Sequence, residues 1–195
     1  TKGAKLIIEN GLGLEAWISK FTMNLGSIPK VKLTEGLTPL FIEEDLYAGK
    51  PNPHAWMSPN RAMHYVDKIV EAFVKIDPSG ENEYRANASS YKAKLALLDK
   101  ELRDSLSLIP KERRFLVTCE GAFSYLARDY GMQEGYLWPV NSESQVTPRR
   151  MVNLIETIKK NNVPTIFCES TVSAEAQKEV AKSSGSSFGG VFYVD

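Results

Sequence analysis

The stretch LVTCE at residues 116–120 is a short apolar run that ends on a carboxylate, and two similar runs follow it. They are IFCE at residues 166–169 and VFYVD at residues 191–195. Each run is typical of a buried parallel strand. Because the carboxyl ends of parallel strands meet at one edge of an open sheet, where ligands bind, the terminal acids should lie together there. These acids are Glu120, Glu169 and Asp195.

A histidine upstream adds a second type of ligand. His54 lies in the stretch NPHAW at residues 52–56, where Pro53 stiffens the loop and Trp56 can cover the imidazole. Imidazole and carboxylates, without a thiolate nucleophile or a glycine-rich phosphate loop, suit a divalent metal ion. Structural alternatives stay open, since a lone histidine is usually structural and a glutamate at a helix N-terminus can stabilise the helix dipole. His64 falls among charged helix positions and is expected at the surface.

The composition limits the possible partners. The 195 residues include 24 basic and 24 acidic side chains, so no net charge favours nucleic acid or an anionic membrane. No apolar stretch of the sequence approaches the ~20 residues of a membrane span. The opening TKGA resembles the interior of a protein, so we expect any leader peptide to have been removed or omitted.

The longest helical pattern covers residues 81–108, which contain no proline or glycine. It predicts one helix about 40 Å long at 1.5 Å per residue. Such a helix is longer than one small lobe, so we interpret it as a strut joining two, with a helical hairpin as the alternative. The predicted parts are a partial N-terminal α/β lobe at 1–80, a connecting helix at 81–109 and a C-terminal α/β lobe at 110–195. The apolar positions of the helix are Tyr84, Ala88, Tyr91, Leu95, Leu98, Leu102, Leu106 and Ile109.

The C-terminal lobe alternates between strand and helix patterns. Strands are predicted at residues 115–119, 136–140, 165–168 and 191–194, with amphipathic helical segments between them. Alternation of this kind is typical of a parallel sheet covered by helices. The sequence therefore predicts an α/β fold.

Several motifs together resemble those of a known family. The segments are NPHAWMS (52–58), LVTCEGAFSYL (116–126), YLWPVN (136–141), IFCESTV (166–172) and GVFYVD (190–195). In this order they resemble the metal-binding receptors of manganese, zinc and iron ABC importers, known as cluster 9 solute-binding proteins. The likeness is greatest to the cyanobacterial manganese-binding protein and its enterobacterial manganese/iron relatives. It implies two Rossmann-like lobes with parallel sheets, joined by one long rigid helix, the N-terminal lobe being incomplete in this chain.

The resemblance also implies a set of metal ligands. Receptors of this family use two histidines, one glutamate or histidine, and one aspartate. His54 matches the second histidine, Glu120 the third ligand and Asp195 the aspartate, while the first histidine is expected upstream of Thr1. Glu169 and Trp56 are expected beside the ligands rather than on the metal, with capping of the following helix as the alternative role for Glu169.

The implied function is capture of Mn²⁺ outside the cytoplasmic membrane and delivery to an ABC importer permease, without catalysis and without nucleic acid. The implied location is the periplasm or the outer face of that membrane. Two carboxylates and two imidazoles suit Mn²⁺, with Zn²⁺ and Fe²⁺ as alternatives. A surface adhesin is a further alternative. A metal-dependent hydrolase is another, although we find no nucleophile elbow or catalytic Cys–His pair.

The two cysteines lie at equivalent positions, each directly before a strand-end glutamate. If the lobe has a flavodoxin-like strand order, its first and third strands are neighbours, ~4.8 Å apart and within disulfide reach. A Cys119–Cys168 bond, which export permits, would close a loop of about 50 residues and contribute about 4 kcal/mol. Reduction would then loosen Glu120 and weaken metal binding. Two buried free thiols are the alternative.

Overall fold

The chain begins with two short strands that pair in parallel, β1 (Ile7–Glu9) and β2 (Lys30–Lys32). This architecture comes from a computed structural model. The residues it describes are 3–18, 28–43, 45–140 and 146–194. Asp195 lies outside the described residues, so its place at the end of the last strand stays a prediction.

Helix α1 (Pro59–Ile76) follows the loop that carries His54. A proline suits the first turn, where a backbone N–H has no helical partner. The serine before it is the type of residue that caps a helix, but Ser58 does not cap this one. Its hydroxyl instead donates to Asp129 Oδ2 at 2.7 Å, a residue 71 positions later. The serine thus joins two distant parts of the chain.

The long helix is continuous from Glu81 to Ser107, and we name it α2. It packs along α1, where Lys92 Nζ lies 2.7 Å from Asp67 Oδ1. Near its C-terminal end, the Tyr130 hydroxyl donates to Asp99 Oδ1 at 2.8 Å. The helix therefore contacts parts of the fold on both sides of it in the sequence. Within the described ranges, no helix combines the length and apolarity needed to cross a membrane.

The apolar positions of α2 are only partly covered by the rest of the fold. Tyr91 and Leu98 are 54% and 43% exposed, and none of the α2 residues, all of which the structure describes, is buried. The half-buried strip includes polar Lys92 and Asp99, because these two side chains pair with α1 and with Tyr130. The whole strip is Glu81, Tyr84, Ala88, Lys92, Leu95, Asp99, Leu102 and Leu106.

The C-terminal lobe has the predicted alternation of strands and helices. Its elements are β3 (Phe115–Glu120), α3 (Ser124–Asp129), β4 (Gln133–Trp138), α4 (Pro148–Lys160), β5 (Thr165–Glu169), α5 (Glu175–Ser184) and β6 (Ser187–Phe192). Strand β3 pairs in parallel with β4, and β5 pairs in parallel with β6. The predicted α/β fold with parallel sheets is confirmed.

Strands β3 and β5 lie side by side, so the spatial order is β4, β3, β5, β6. Cys119 and Cys168 form a disulfide between the two central strands, with their Cα atoms 4.8 Å apart. The predicted neighbourhood of the first and third strands is confirmed. The core around the bond is closed by buried side chains of the strands, of α4 and α5, and of the connection between α4 and β5: Val117, Leu137, Trp138, Leu154, Ile158, Val163, Ile166, Val180 and Ala181.

Strand β6 differs from its predicted bounds. The strand was expected at residues 191–194, but it begins at Ser187 and ends at Phe192. The start of the strand was not recognised from the sequence because it contains glycines, and glycine is depleted in strands. A Cβ at Gly189 would collide with the side chains of Phe167 and Thr165 on β5, so a glycine fits where the two strands approach closely.

Candidate metal centre

Glu120 is the last residue of β3 and is only 5% exposed. The chain turns straight into a short helical turn at Gly121, where a Cβ would lie 2.8 Å from the Pro139 carbonyl oxygen. Glycine therefore permits the close approach of the Pro139 backbone to the chain directly after the carboxylate. The sequence pattern located this residue as expected, at the carboxyl edge of the sheet.

His54 lies on the loop before α1 and is 6% exposed. Its Nε2 lies 3.7 Å from Glu120 Oε1. This separation is shorter than two metal–ligand bonds of about 2.1 Å each, so a single ion can contact both atoms. The structure thus brings together one imidazole and one carboxylate that the sequence places 66 residues apart.

Burial lowers the pKa of His54 to about 4. The imidazole is therefore neutral at neutral pH, which is the form that binds metal ions. Its Nδ1 lies 2.9 Å from Asn52 Oδ1, and the His54 backbone N–H donates to the same oxygen at 3.0 Å. The Trp56 ring lies 5.2 Å from the imidazole at an interplanar angle of 53° and forms part of its apolar surroundings.

The loop of His54 is fixed from several directions. Asn52 Nδ2 donates to the Gly121 carbonyl oxygen at 2.7 Å, directly after Glu120. The Tyr125 hydroxyl donates to the Asn52 carbonyl oxygen, also at 2.7 Å. On the N-terminal side, Asn10 Nδ2 donates to the Pro53 carbonyl oxygen at 3.0 Å. All three bonds hold the loop, and the one from Asn52 to Gly121 connects it to the residue directly after Glu120.

An ion pair reinforces the same region. Arg61 on α1 binds Asp129 at the end of α3 through two hydrogen bonds, of 2.9 and 3.0 Å. The Arg61 guanidinium also lies 4.8 Å from the centre of the Tyr125 ring. Sequence reasoning missed Asn52, Tyr125, Arg61 and Asp129, because periodicity carries no signal for pairs about 70 residues apart. The sequence analysis included Asn52 only as part of the loop motif NPHAW and gave it no role.

Glu169 ends β5 and is fully buried. Its Oε2 accepts the backbone N–H of Cys119 at 3.1 Å and that of Glu120 at 3.2 Å. Burial raises its pKa to about 7, and the nearby Glu120 carboxyl contributes to the rise, while the N–H bonds oppose it. The Glu169 side chain therefore holds the end of β3 through its backbone, and its expected place beside the metal ligands stays a prediction.

Other residues of types that bind metals lie apart from the pair of His54 and Glu120 or are already bonded. His64 lies on α1 with its Nε2 2.8 Å from the Glu35 carbonyl oxygen. Cys119, Cys168 and Glu169 have their ligand atoms within 4.8 Å of one another, but both sulfurs are committed to the disulfide. Neither group is a candidate for holding an ion together with His54 and Glu120.

The structure also has an open pocket of about 710 Å³ beside β4. Arg128, Glu134 and Arg150 are among its lining residues, and His54 and Glu120 are not. Burial raises the pKa of Glu134, and the Glu43 carboxyl raises it further. With two arginines and two glutamates nearby, the pocket has no dominant charge that would select a divalent ion.

Comparison with known proteins decides the family. The family described as ZnuA, zinc-uptake complex component A, periplasmic, matches residues 1–195. This chain belongs to that family. It is 47% identical over 194 residues to the iron-binding protein YfeA of Yersinia pestis, covering 100% of this chain and 62% of YfeA. It is 32% identical over 191 residues to the manganese ABC transporter substrate-binding lipoprotein PsaA of Streptococcus pneumoniae, covering 94% and 62%.

A solved structure supports the same ZnuA-family assignment. The Mn-bound periplasmic metal binding protein from Candidatus Liberibacter asiaticus superposes with a TM-score of 0.89 at 38% identity, over 98% of this chain and 71% of that one. The predicted family and fold are confirmed. The particular likeness to the cyanobacterial protein stays a prediction. The chain spans about three fifths of the length of the curated relatives, whose names specify different metals.

Proposed function

We propose that this ZnuA-family protein captures a divalent metal ion between its lobes and delivers it to the permease of an ABC importer. The observation that carries the proposal is the buried pair of His54 Nε2 and Glu120 Oε1, 3.7 Å apart. A neutral imidazole and a carboxylate that face each other at this distance form half of a four-ligand site. Membership in a family of periplasmic uptake components supports the transport role and the location outside the cytoplasmic membrane.

The remaining ligands are expected from two other parts of the protein. Asp195 comes three residues after β6, whose partner β5 ends beside Glu120, and we propose it as the third ligand from this position in the sequence. By the same resemblance, the fourth ligand is expected to be a histidine that is not among residues 1–195. Two imidazoles and two carboxylates would neutralise the charge of a bound dication.

Mn²⁺ is the proposed cargo. Hard oxygen ligands suit manganese, whereas imidazole at the position of Glu120 would favour zinc. The iron-binding and manganese-binding names of the relatives support a metal of this kind, with Fe²⁺ as the first alternative and Zn²⁺ as the second. Zinc binds most nitrogen and oxygen sites more tightly than manganese, so selectivity would rest on geometry and supply.

Metal content tests the proposal directly. The protein, extended at both ends, would be equilibrated with equal free Mn²⁺, Fe²⁺ and Zn²⁺ under anaerobic conditions, and its bound metal measured by mass spectrometry. We expect one ion per protein and its loss in Glu120→Ala. Glu175→Ala is the matched control, since the Glu175 side chain is 81% exposed on α5. An absence of stoichiometric metal in the unaltered protein would refute the proposal.

Selectivity has its own test. Glu120→His should shift the Mn²⁺/Zn²⁺ affinity ratio toward zinc, because an oxygen ligand is replaced by nitrogen. Competition titration with a chromophoric chelator measures both affinities in each protein. An unchanged ratio would show that Glu120 does not set the preference.

The proposed role is that of a binding protein, not of an enzyme. An adhesin would bind a host ligand in the presence of a chelator, whereas a receptor of this kind would bind the metal alone. A hydrolase would turn over ester or amide substrates and lose that activity in Glu120→Gln. Assays for both activities therefore separate the alternatives from transport.

A further inference from the structure

Asn52 is buried between the two candidate ligands and contacts the chain on both sides. Its Oδ1 faces the backbone N and the ring Nδ1 of His54, at 3.0 and 2.9 Å. Its Nδ2 faces the Gly121 carbonyl oxygen at 2.7 Å and the Ser124 hydroxyl at 3.3 Å. One amide therefore connects the His54 loop to the residue directly after Glu120.

The partners fix which end of the amide is which. A carbonyl oxygen can only accept, so the amide atom facing Gly121 must be the nitrogen. A backbone N–H can only donate, so the atom facing His54 N must be the oxygen. Both constraints give the same orientation, which leaves the amide oxygen beside the imidazole.

This orientation determines the form of the imidazole. Because an amide oxygen accepts only, His54 Nδ1 must carry the hydrogen of the 2.9 Å contact. In a neutral imidazole the other nitrogen, Nε2, then has the lone pair. Nε2 is the atom that lies 3.7 Å from Glu120 Oε1. A lone pair and a carboxylate oxygen thus face each other, an arrangement that a cation between them would stabilise.

We infer that Asn52 is a positioning residue for the metal site: its oxygen selects the His54 tautomer that points a lone pair at Glu120, and its nitrogen ties that ring to the opposite lobe. The inference deepens the proposed function and rests on it for the identity of the ion. Residues that hydrogen-bond a metal-binding histidine commonly affect affinity 10–100-fold when they are replaced. Here the same side chain also sets the distance between ligands from the two lobes.

Three variants separate this role from a general contribution to packing. Asn52→Leu keeps the size of the side chain and removes both ends of the amide. Asn52→Asp keeps an acceptor for His54 but loses the donor to Gly121. Tyr125→Phe is the matched control, since it removes two hydrogen bonds around the same loop, with Leu40 N and Asn52 O, and leaves the His54 ring untouched.

Mn²⁺ titration gives the first readout. We expect Asn52→Leu to lower affinity by about 10–100-fold and Tyr125→Phe by less than about threefold. Asn52→Asp should lie between them, because the ring stays oriented while the tie to Gly121 is lost. Equal losses in Asn52→Leu and Tyr125→Phe would overturn the inference, because the loop rather than the ring would then matter.

The tautomer of His54 in the metal-free protein gives the second readout. Nitrogen-15 NMR of the imidazole rings, assigned with His54→Gln, should show a hydrogen on Nδ1 in the unaltered protein and in Asn52→Asp. Asn52→Leu should show a mixture of tautomers. A hydrogen fixed on Nδ1 in Asn52→Leu would contradict the inference. This readout needs no metal. If the protein bound no metal, the proposed function would be refuted, and the NMR spectra would still decide whether Asn52 selects the tautomer of His54.

Discussion

Two ion pairs, one on the long helix and one in the interlobe seam, which we define as residues 52–61 and 120–129, are held in opposite ways. In the seam, Arg61 and Asp129 have side chains only 14% and 16% exposed and lie 68 residues apart in the sequence. On α2, Arg85 and Glu81 are 62% and 43% exposed and pair within one turn. The first pair joins separate elements, whereas the second joins neighbours that the helix already holds together.

The difference shows where polar contacts specify the structure. A charged group that is withdrawn from water must be paired, since an unpaired one costs several kcal/mol. Each seam contact therefore excludes lobe arrangements that would leave its partner alone. An exposed pair on a helix has water as an alternative partner, so it excludes nothing. We expect substitutions to affect stability strongly at the centre of the lobe and in the seam, and weakly on the helix.

The largest effect is expected behind the seam, at the disulfide. Reduction of Cys119–Cys168, or the double substitution to alanine, should lower the free energy of unfolding by about 4 kcal/mol in the chain-entropy model. Metal affinity should fall as well, because Cys119 directly precedes Glu120. Urea unfolding and Mn²⁺ titration with and without reductant measure both effects. The double variant should not respond to reductant, and two free thiols in native protein would contradict the bond.

A smaller effect is expected for the ion pair of the seam. Asp129→Ala removes the acceptor of Arg61 and Ser58 and should cost about 2–3 kcal/mol, since hydrogen bonds to charged groups are lost and a half-buried guanidinium remains. Urea unfolding at neutral pH measures the change. Arg61→Met would test the reverse case, in which no cation is stranded. If Asp129→Ala lowered the free energy of unfolding by less than about 0.5 kcal/mol, the range of surface ion pairs, the seam pair would be no more important for stability than the helix pair.

The same aspartate predicts a dependence on pH. Burial alone would raise its pKa, but hydrogen bonds from Arg61 and Ser58 outweigh burial and hold the pKa of Asp129 below its usual range. A lowered pKa in the folded state contributes stability above the unfolded value of about 4, and this contribution is lost as pH falls through the folded value. Unfolding measured from pH 6 to pH 2.5 should therefore show wild type and Asp129→Asn converging at low pH. Parallel curves would contradict the prediction.

The smallest effect is expected on α2. Arg85→Ala should change the free energy of unfolding by at most about 0.5 kcal/mol, because the pair with Glu81 is exposed and the helix does not depend on it. High salt should remove the difference. A loss above 1 kcal/mol would mean that this end of the helix supports more of the fold than its exposure indicates.

Features that depend on local pattern were predictable from the sequence. Apolar runs located β3 and β5, and a parallel topology placed Cys119 beside Cys168. The uninterrupted pattern of α2 gave its length within two residues. Glu120 followed from its position at a strand end, because backbone geometry alone decides where such a residue emerges.

Features that depend on tertiary context were not predictable in the same way. The half-buried strip of α2 contains Lys92 and Asp99. These polar side chains fit there because they are paired with Asp67 and Tyr130. The glycines of β6 look unfavourable for a strand until the side chain of Phe167 is known to lie against Gly189. The contacts of Asn52 likewise join residues that are distant in the sequence, so a local sequence pattern does not predict them.

The bond from Asn52 to Gly121 spans 69 residues, and it has a consequence for how the protein folds. Contacts between distant residues form late, since the chain must first lose the entropy of closing the loop. The paired ligands can therefore meet only after both lobes have formed, and a half-folded chain would hold no metal tightly. An ion bound only by the finished structure would in turn shift the folding equilibrium toward it. If the proposed function holds, metal supply would then act on the yield of folded protein as well as on the occupancy of the site.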